Sequence, residues 1–373
     1  MLTKLKQLDW IVILILILFM VVGTLLINSS DLPRQVTKHV QLFLLGFITM
    51  TFFSLIDYRL LIKRAYYIYG FGILLLIGLI FFGKIKNGAR GWYDLIIVDF
   101  QPAELVKITL IIMIAYLLKK RDGEPLTIVN DLVPISLIVL IPFTFVIMQP
   151  DLGNAIIYIV IFIGMLWIGN LKYTYVLISI LLISAITFAS YHIYKTFHDP
   201  IVTFFSENGK GHWTERIDAI LFPETASDTF HQDQAIMAIG SGGLLGEGYS
   251  KGIVKVPYDY SDSIFAIVGE EFGFIGSSLL LLLYFLLIYR LIIIAIHSND
   301  RAGAYIIVGI TSMFIFQIFE NVGMLIGLMP LTGITLPFIS YGGSSLLINM
   351  MSIGIVMSIK VHQDSPWMYD EEY

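Results

Sequence analysis

The chemistry open to this chain starts from a few charged residues set among long apolar runs. Asp262 lies in YDYSDSIF, where a polar stretch enters an apolar one. A carboxylate with water in front and an apolar wall behind has its pKa raised toward the range a general base needs. The same position also suits an N-cap for a following helix. Glu104 and Lys107 stand at i, i+3, on one helix face, just after Gln101-Pro102, and Pro102 fits a first helical turn. They read either as an ion pair that eases insertion or as the charged floor of a cavity. Asp151, in QPDLG, either caps the next helix or lines the same cavity. Glu270, Glu271 and Glu320 fall within or near apolar runs, where a charge costs about 2.5–3.5 kcal/mol and marks function by default. On a regular helix Glu270 lies about 12 Å from Asp262, too far for both to touch one reacting bond. Glu320, beside Asn321, reads as hydrogen-bonded within a bundle. Two glycine-rich stretches, GSGGLLGEG (240–248) and SYGGSS (340–345), let backbone N–H groups approach an anion, or let chain segments pack closely. Neither has Walker spacing, so no nucleotide site is expected.

The elements that position these residues follow from composition. Of 373 residues, 57% are hydrophobic and only 14% charged, where a soluble domain carries about 25% charged. The charge is too sparse to cover a soluble surface of this size. With no cysteine, disulfides, zinc-thiolate sites and thiol catalysis are excluded. A net charge of −5 gives no reason to expect nucleic acid as a partner. The expected fold is an all-α polytopic membrane protein.

A bilayer crossing needs about 20 mostly apolar residues. Ten candidates meet this: Trp10–Ile27, Val40–Ile56, Ala65–Phe82, Leu105–Leu118, Leu132–Met148, Ala155–Gly169, Tyr175–Tyr191, Ile264–Ile288, Ala304–Leu328 and Ser340–Ile359. The first is too long for a signal peptide and lacks a small-residue cleavage site. Basic residues set the orientation. Lys4, Lys6, Arg59, Lys63, Arg64, Lys119, Lys120, Arg121, Lys172, Arg290, Arg301 and Lys360 fall on the N-terminal side, against Arg34, Lys38, Lys84, Lys86 and Arg90 on the other. Both termini are therefore expected in the cytoplasm. The chain divides as one transmembrane domain: spans 1–7 over 10–191, a large extracellular loop over 192–261, spans 8–10 over 262–360, and an acidic cytoplasmic tail over 361–373. A loop of that length without obvious regular structure is more often functional than idle, and a short amphipathic helix is expected around Trp213–Leu221.

Six stretches, taken together, resemble one family. They are NGARGW (87–92), FQPAELVKI (100–108), QPDLGNA (149–155), DQAIMAIGSGGLLGEG (233–248), SDSIFAIVGEEFGFIG (261–276) and LPFISYGGSS (336–345). In order and spacing they are similar to the SEDS proteins (shape, elongation, division and sporulation), the polytopic peptidoglycan polymerases that include RodA, FtsW and SpoVE. NVGMLIGLMPLTG (321–333) resembles the RodA branch most. Ala103 stands where a serine is common, Gly91 where arginine or glutamine is often seen, and Ser261 and Ser263 flank the aspartate in place of threonine and phenylalanine. The charged positions are intact.

The resemblance implies ten spans and a glycosyltransferase that polymerises lipid II on the outer face of the cytoplasmic membrane, for cell elongation and rod shape. It makes Asp262 the catalytic aspartate, the base for attack of a GlcNAc O4 on a MurNAc C1. A pyrophosphate leaving group needs charge stabilisation rather than a general acid. Arg90, Lys107 and Lys251 are then candidate pyrophosphate or sugar contacts, Glu104 orients Lys107, Asp151 lines the cavity, and amides at Gly342 and Gly343 are a further anion site. No cofactor is required; a divalent cation, Mg or Mn, bridging pyrophosphate is compatible, although no metal-ligand cluster is legible. The implied partners are a class B penicillin-binding protein and other membrane proteins of an elongation complex. Two other readings stay open: a lipid II flippase, which needs polar groups tracking across the bilayer, and a scaffold for the penicillin-binding protein, in which Asp262→Ala is silent.

Overall fold

Helix starts in this chain are marked by short acidic side chains. Asp9 accepts N–H groups of Ile11 and Val12, Asp57 that of Arg59, Asp151 that of Asn154 and Asp300 that of Ala302; each satisfies an orphan amide of a first turn. The computed structural model describes residues 7–30, 33–86, 89–94, 99–207, 211, 214, 217–218, 221 and 230–363. Lys4, Lys6, Asn87, Gly88, Lys210, Arg216, the tail from 364 and most of the helix expected around Trp213 lie outside the described residues.

In chain order the elements are α1 (Trp10–Ser29), α2 (Pro33–Leu55), α3 (Tyr58–Lys63), α4 (Ala65–Phe82), β1 (Lys84–Lys86), β2 (Ala89–Asp94), β3 (Asp99–Phe100), α5 (Pro102–Lys119), a π-turn (Ile128–Leu132), α6 (Val133–Met148), α7 (Leu152–Ile168), α8 (Tyr173–Thr196), α9 (His198–Glu207), α10 (Phe230–Ser241), α11 (Ile264–Ile296), α12 (Arg301–Leu325) and α13 (Gly343–His362). Among the described residues eight helices are long and apolar enough to cross a bilayer, and α7 is a shorter apolar one. With α5, whose 18 residues include Glu104, Lys107 and Lys119, the ten expected spans are all helical. Their outward faces carry large apolar side chains, which in a bilayer is the solvated state. Helices α5, α12 and α13 form the centre of the bundle, buried over most of their length. At the other extreme, α8 contributes none of its span to the buried interior.

Three features depart from the expected layout. The segment between α4 and α5 folds as a three-stranded antiparallel sheet, Ile85 pairing Arg90 and Tyr93 pairing Phe100. The large loop expected over 192–261 contains the end of α8, α9 and α10. And α11 is two helices fused at Gly273, whose φ of 62° and ψ of −159° are not helical. The GSGGLLGEG stretch fits into that break: the N–H of Phe274 donates to Gly243 and that of Ile275 to Leu244, while the N–H groups of Glu247 and Gly248 donate to Glu270 and Glu271 carbonyls. A β-carbon on Gly242 would stand 1.9 Å from the Gly269 carbonyl oxygen, and one on Gly246 2.2 Å from that of Glu271. These glycines serve close packing of backbone on backbone. The Glu270 carboxylate accepts the N–H groups of Ile253 and Val254, at 2.6 and 2.8 Å, and so pins the next loop to the same half-helix.

At the far end of α1, Asp9 is buried and its Oδ2 accepts from Arg290 at 2.9 Å and Lys360 at 2.7 Å. This clasp ties α1 to α11 and α13.

Candidate active site at the outer mouth of the bundle

The site is assembled from helix ends. Asp151 is the N-cap of α7: its Oδ1 accepts the Asn154 N–H at 3.1 Å and its Oδ2 the Asn154 amide at 2.9 Å. Its Oδ2 also accepts from Gln101 Nε2 at 2.8 Å, so the cap joins α7 to the residue that opens α5. Asp151 is thus a cap, and one that also reaches across to a second helix. Burial pushes the Asp151 carboxyl up, while the Asn154 donors and the charge of Lys107 hold it back.

One turn into α5, Lys107 Nζ lies 2.8 Å from Glu104 Oε2. Both side chains are buried, Lys107 completely. The charges of Glu104 and Lys107 both bear on Asp151, and that of Lys107 also on Glu320 of α12.

The connection from this cluster to Asp262 runs through the chain between α12 and α13. Around Gly153, Thr332 and Ile334 pack so closely that a β-carbon there would lie 2.4 Å from the Ile334 side chain. Asn321 Nδ2, on α12, donates to the carbonyls of Ile334 and Asp262, each at 2.7 Å. Between them Gly333, at φ 74°, turns its bare α-carbon toward Asp262; a β-carbon would lie 3.6 Å from Asp262 Oδ2. Gly333 is exposed and Asp262 half-buried, so this is the mouth of the assembly.

Asp262 is not the N-cap of α11. Ser263 holds that position and makes no side-chain cap bond; its Oγ is 2.6 Å from His231 Nε2 on α10. Burial pushes the Asp262 carboxyl up to about 6, against the opposing influence of its own N–H and that of Ser263. The residue is held from behind by the segment 258–260, in which Tyr258 takes φ 55° and the Tyr260 carbonyl accepts the Tyr341 N–H at 2.9 Å.

The SYGGSS stretch closes the ring. Ser344 Oγ accepts the Gln101 N–H at 2.9 Å. Thr335 Oγ1 donates to Ser345 Oγ at 3.1 Å, and Gly342 faces the Thr335 side chain.

Glu104, Lys107, Asp151, Gly342 and Gly343 are thus brought together around the 332–335 segment that abuts Asp262. Arg90 and Lys251 are not in that constellation among the described contacts. Both are exposed. Arg90 Nη1 donates to the Ile80 carbonyl at the top of α4, and the Lys251 stem lies along Gly248. Sequence reasoning missed Gln101, Asn154, His231 and Thr332, and placed Asn321 only as the neighbour of Glu320. The first two are polar neighbours of flagged residues within FQPAEL and QPDLGN, a signal that was present; His231 and Thr332 carry none. Among the described residues no three His, Asp or Glu side chains converge as a metal site.

The family's sequence profile, described as a cell cycle protein of the FtsW, RodA and SpoVE type, matches residues 6–365. The chain belongs to the FtsW/RodA/SpoVE family. It is 33% identical over 366 residues to the peptidoglycan glycosyltransferase MrdB of Escherichia coli strain K12, covering 96% of this chain and 94% of that one. It is 30% identical over 386 residues to the stage V sporulation protein E of Bacillus subtilis strain 168, covering 96% and 98%. Among solved structures it matches a chain from work on the structural coordination of polymerization and crosslinking by a peptidoglycan synthase complex (TM-score 0.81, 26% identity, 96% and 99% covered). It also matches the rod shape determining protein RodA of Thermus thermophilus (TM-score 0.72, 26% identity, 96% and 98% covered). This family member is a multi-pass membrane protein.

Proposed function

We propose that this protein is a peptidoglycan glycosyltransferase that polymerises lipid II at the outer face of the cytoplasmic membrane, with Asp262 as general base. The observation that carries the assignment of the base is a half-buried carboxylate pushed up to about 6 at an open mouth, where it faces Gly333 while Asn321 bonds the main-chain carbonyl of Asp262. The GlcNAc O4 hydroxyl of one substrate attacks C1 of the MurNAc of another. The new C–O bond forms as the C1–O bond to undecaprenyl pyrophosphate breaks, and the hydroxyl proton passes to Asp262. A base placed this way contributes about 10²–10⁴-fold.

The cations divide by access. Lys107 is sealed and paired with Glu104, so its part is to set the field beneath the mouth and to hold Asp151. Arg90 and Lys251, exposed on outer segments, are available to a pyrophosphate, with Gly342 and Gly343 amides as a further anion contact. A divalent cation, if bound, would neutralise charge on the pyrophosphate, and among the described residues no cluster of His, Asp or Glu is built to hold it. The excess of basic residues in the short segments on the N-terminal side supports both termini in the cytoplasm. The working partner is a class B penicillin-binding protein within an elongation complex, as expected of a RodA-like polymerase; the neighbouring structure's polymerization and crosslinking complex supports this.

The test is polymerisation of lipid II by the purified protein with that partner. Asp262→Ala is expected to lower glycan product by at least about 100-fold while the protein still expresses and binds its partner. Product at the wild-type level overturns the assignment. Transfer of lipid II between leaflets of a proteoliposome, with no polymer formed, supports the flippase reading instead.

A further inference from the structure

The mouth has two walls, and one short helix reaches both. Asp262 and the start of α11 form the first wall; the turn that follows α12 and leads to Gly333 forms the second. The helix is α10, which belongs to the large outer loop. It packs against α11, where a β-carbon on Gly269 would stand 2.9 Å from the Ile239 side chain. Its C-terminal end runs into the GSGGLLGEG stretch that fills the break at Gly273. That end of α10 is thus fixed, and its first turn lies at the mouth.

Two consecutive residues make the connection. His231 Nε2 lies 2.6 Å from the Oγ of Ser263, the N-cap of α11 and the neighbour of Asp262. Gln232 Nε2 donates to the carbonyls of Met324 at 2.9 Å and Met329 at 3.4 Å. Helix α12 ends at Leu325, so the Met324 carbonyl belongs to a last turn that has run out of helical amides; the Gln232 amide fills that place from another helix. Successive helix positions point about 100° apart, and this divergence lets one turn of α10 reach two walls. Gln232 Nε2 is also 4.0 Å from where a β-carbon on Gly327, at φ 83°, would stand, so the turn after α12 is packed against it as well as bonded. From within the bundle, Asn321 bonds the Asp262 and Ile334 carbonyls. The gap between the carboxylate and Gly333 is therefore held from the bundle side and from the loop side.

We propose that His231 and Gln232 are positioning residues for glycosyl transfer: as a strap across the mouth, they fix the Asp262 wall relative to the Gly333 wall. This inference rests on the reading of Asp262 as the base. The strap acts through one hydroxyl and two main-chain carbonyls. It works only when both ends are attached, so losing either end releases the walls and losing the second adds little. Misplacing a catalytic group by about 1 Å costs about 10²-fold in rate. Glutamine at 231 carries both a donor and an acceptor at the end of its side chain and can bond the Ser263 hydroxyl in either sense, so it keeps the role; leucine does not.

The experiment measures lipid II polymerisation by the full chain with its partner over a range of substrate concentration, with kcat taken per folded molecule as scored by thermal unfolding in detergent. The variants are His231→Gln, His231→Leu, Gln232→Met and the double variant His231→Leu/Gln232→Met. His231→Gln is expected within about twofold of wild type, and His231→Leu and Gln232→Met to lose about tenfold or more in kcat with KM for lipid II unchanged, since the geometry at the base is altered and substrate contacts are not. The double variant is expected within about twofold of the less active single variant, not at the product of the two losses that independent sites would give. Four results overturn the proposal: His231→Leu or Gln232→Met at wild-type kcat, a loss explained wholly by a smaller folded fraction, a folded His231→Gln as inactive as His231→Leu, or a double variant whose loss is the product of the single ones. Asp262→Ala run in parallel separates the two claims. If it stays active, the base assignment falls; if it is inactive and the strap variants are normal, only the positioning role falls.

Discussion

Asp262 and Gly333 face each other so closely that a β-carbon on the glycine would stand 3.6 Å from the carboxylate oxygen. The glycine also sits at φ 74°, a conformation that costs an L-residue about 1–2 kcal/mol. Gly333→Ala therefore sets a methyl in van der Waals contact with the proposed base and strains the turn. The expected outcome is at least a tenfold loss of polymerisation, with an unfolding midpoint lowered by only a few degrees. Unchanged polymer yield would show that the turn does not shape the pocket.

The carboxyl of Asp262 is raised to about 6 by burial, which fixes the direction of a pH profile. A general base acts when deprotonated, so the rate is on its plateau above about pH 6 and falls about tenfold per unit below it. His231 bonds the neighbouring Ser263, so the control is His231→Gln, which is expected to leave the acid limb in place. A limb that moves with His231 and not with Asp262 would reassign it.

The spans were legible because an apolar run of about 20 residues has few other uses, and Glu104 with Lys107 was legible because i, i+3 spacing places two side chains together whatever the surroundings. Asp151 was half legible: its cap is local, but its bond to Gln101 depends on how α5 meets α7. The break at Gly273 was invisible, since hydropathy reads straight through a glycine whose conformation is set by a loop more than twenty residues earlier in the chain. The same holds for the link from Thr332 and Gly333 to Asp262: PLTG looks like any turn until α12 brings Asn321 beneath it.

Lys107 and Glu104 test the buried charge. Removing one partner strands the other, at a cost of about 3–5 kcal/mol. Lys107→Met and Glu104→Gln are each expected to lower thermal stability sharply, and the double variant to recover much of it. Because the double variant also erases the field around Asp151, its polymerisation is expected to stay low. Recovery of activity along with stability would mean that the pair serves insertion and folding alone.

The Asp9 clasp supplies the opposite case, stability without chemistry. Asp9 caps the start of α1, a 20-residue helix that spans about 30 Å. Burial raises the Asp9 carboxyl, but Arg290 and Lys360 more than reverse this and hold it below the ordinary carboxylate value. Such a group contributes stability above its unfolded pKa of about 3.9 and loses it as pH falls through the lower folded value, so it stays ionised across the whole range in which Asp262 titrates. Asp9→Asn is expected to reduce stability by about 2 kcal/mol, discounted from the fully buried case because both cations are partly exposed, while kcat per folded molecule and the acid limb near pH 6 stay as in wild type. A shift of that limb in Asp9→Asn would mean that the clasp is coupled to the site.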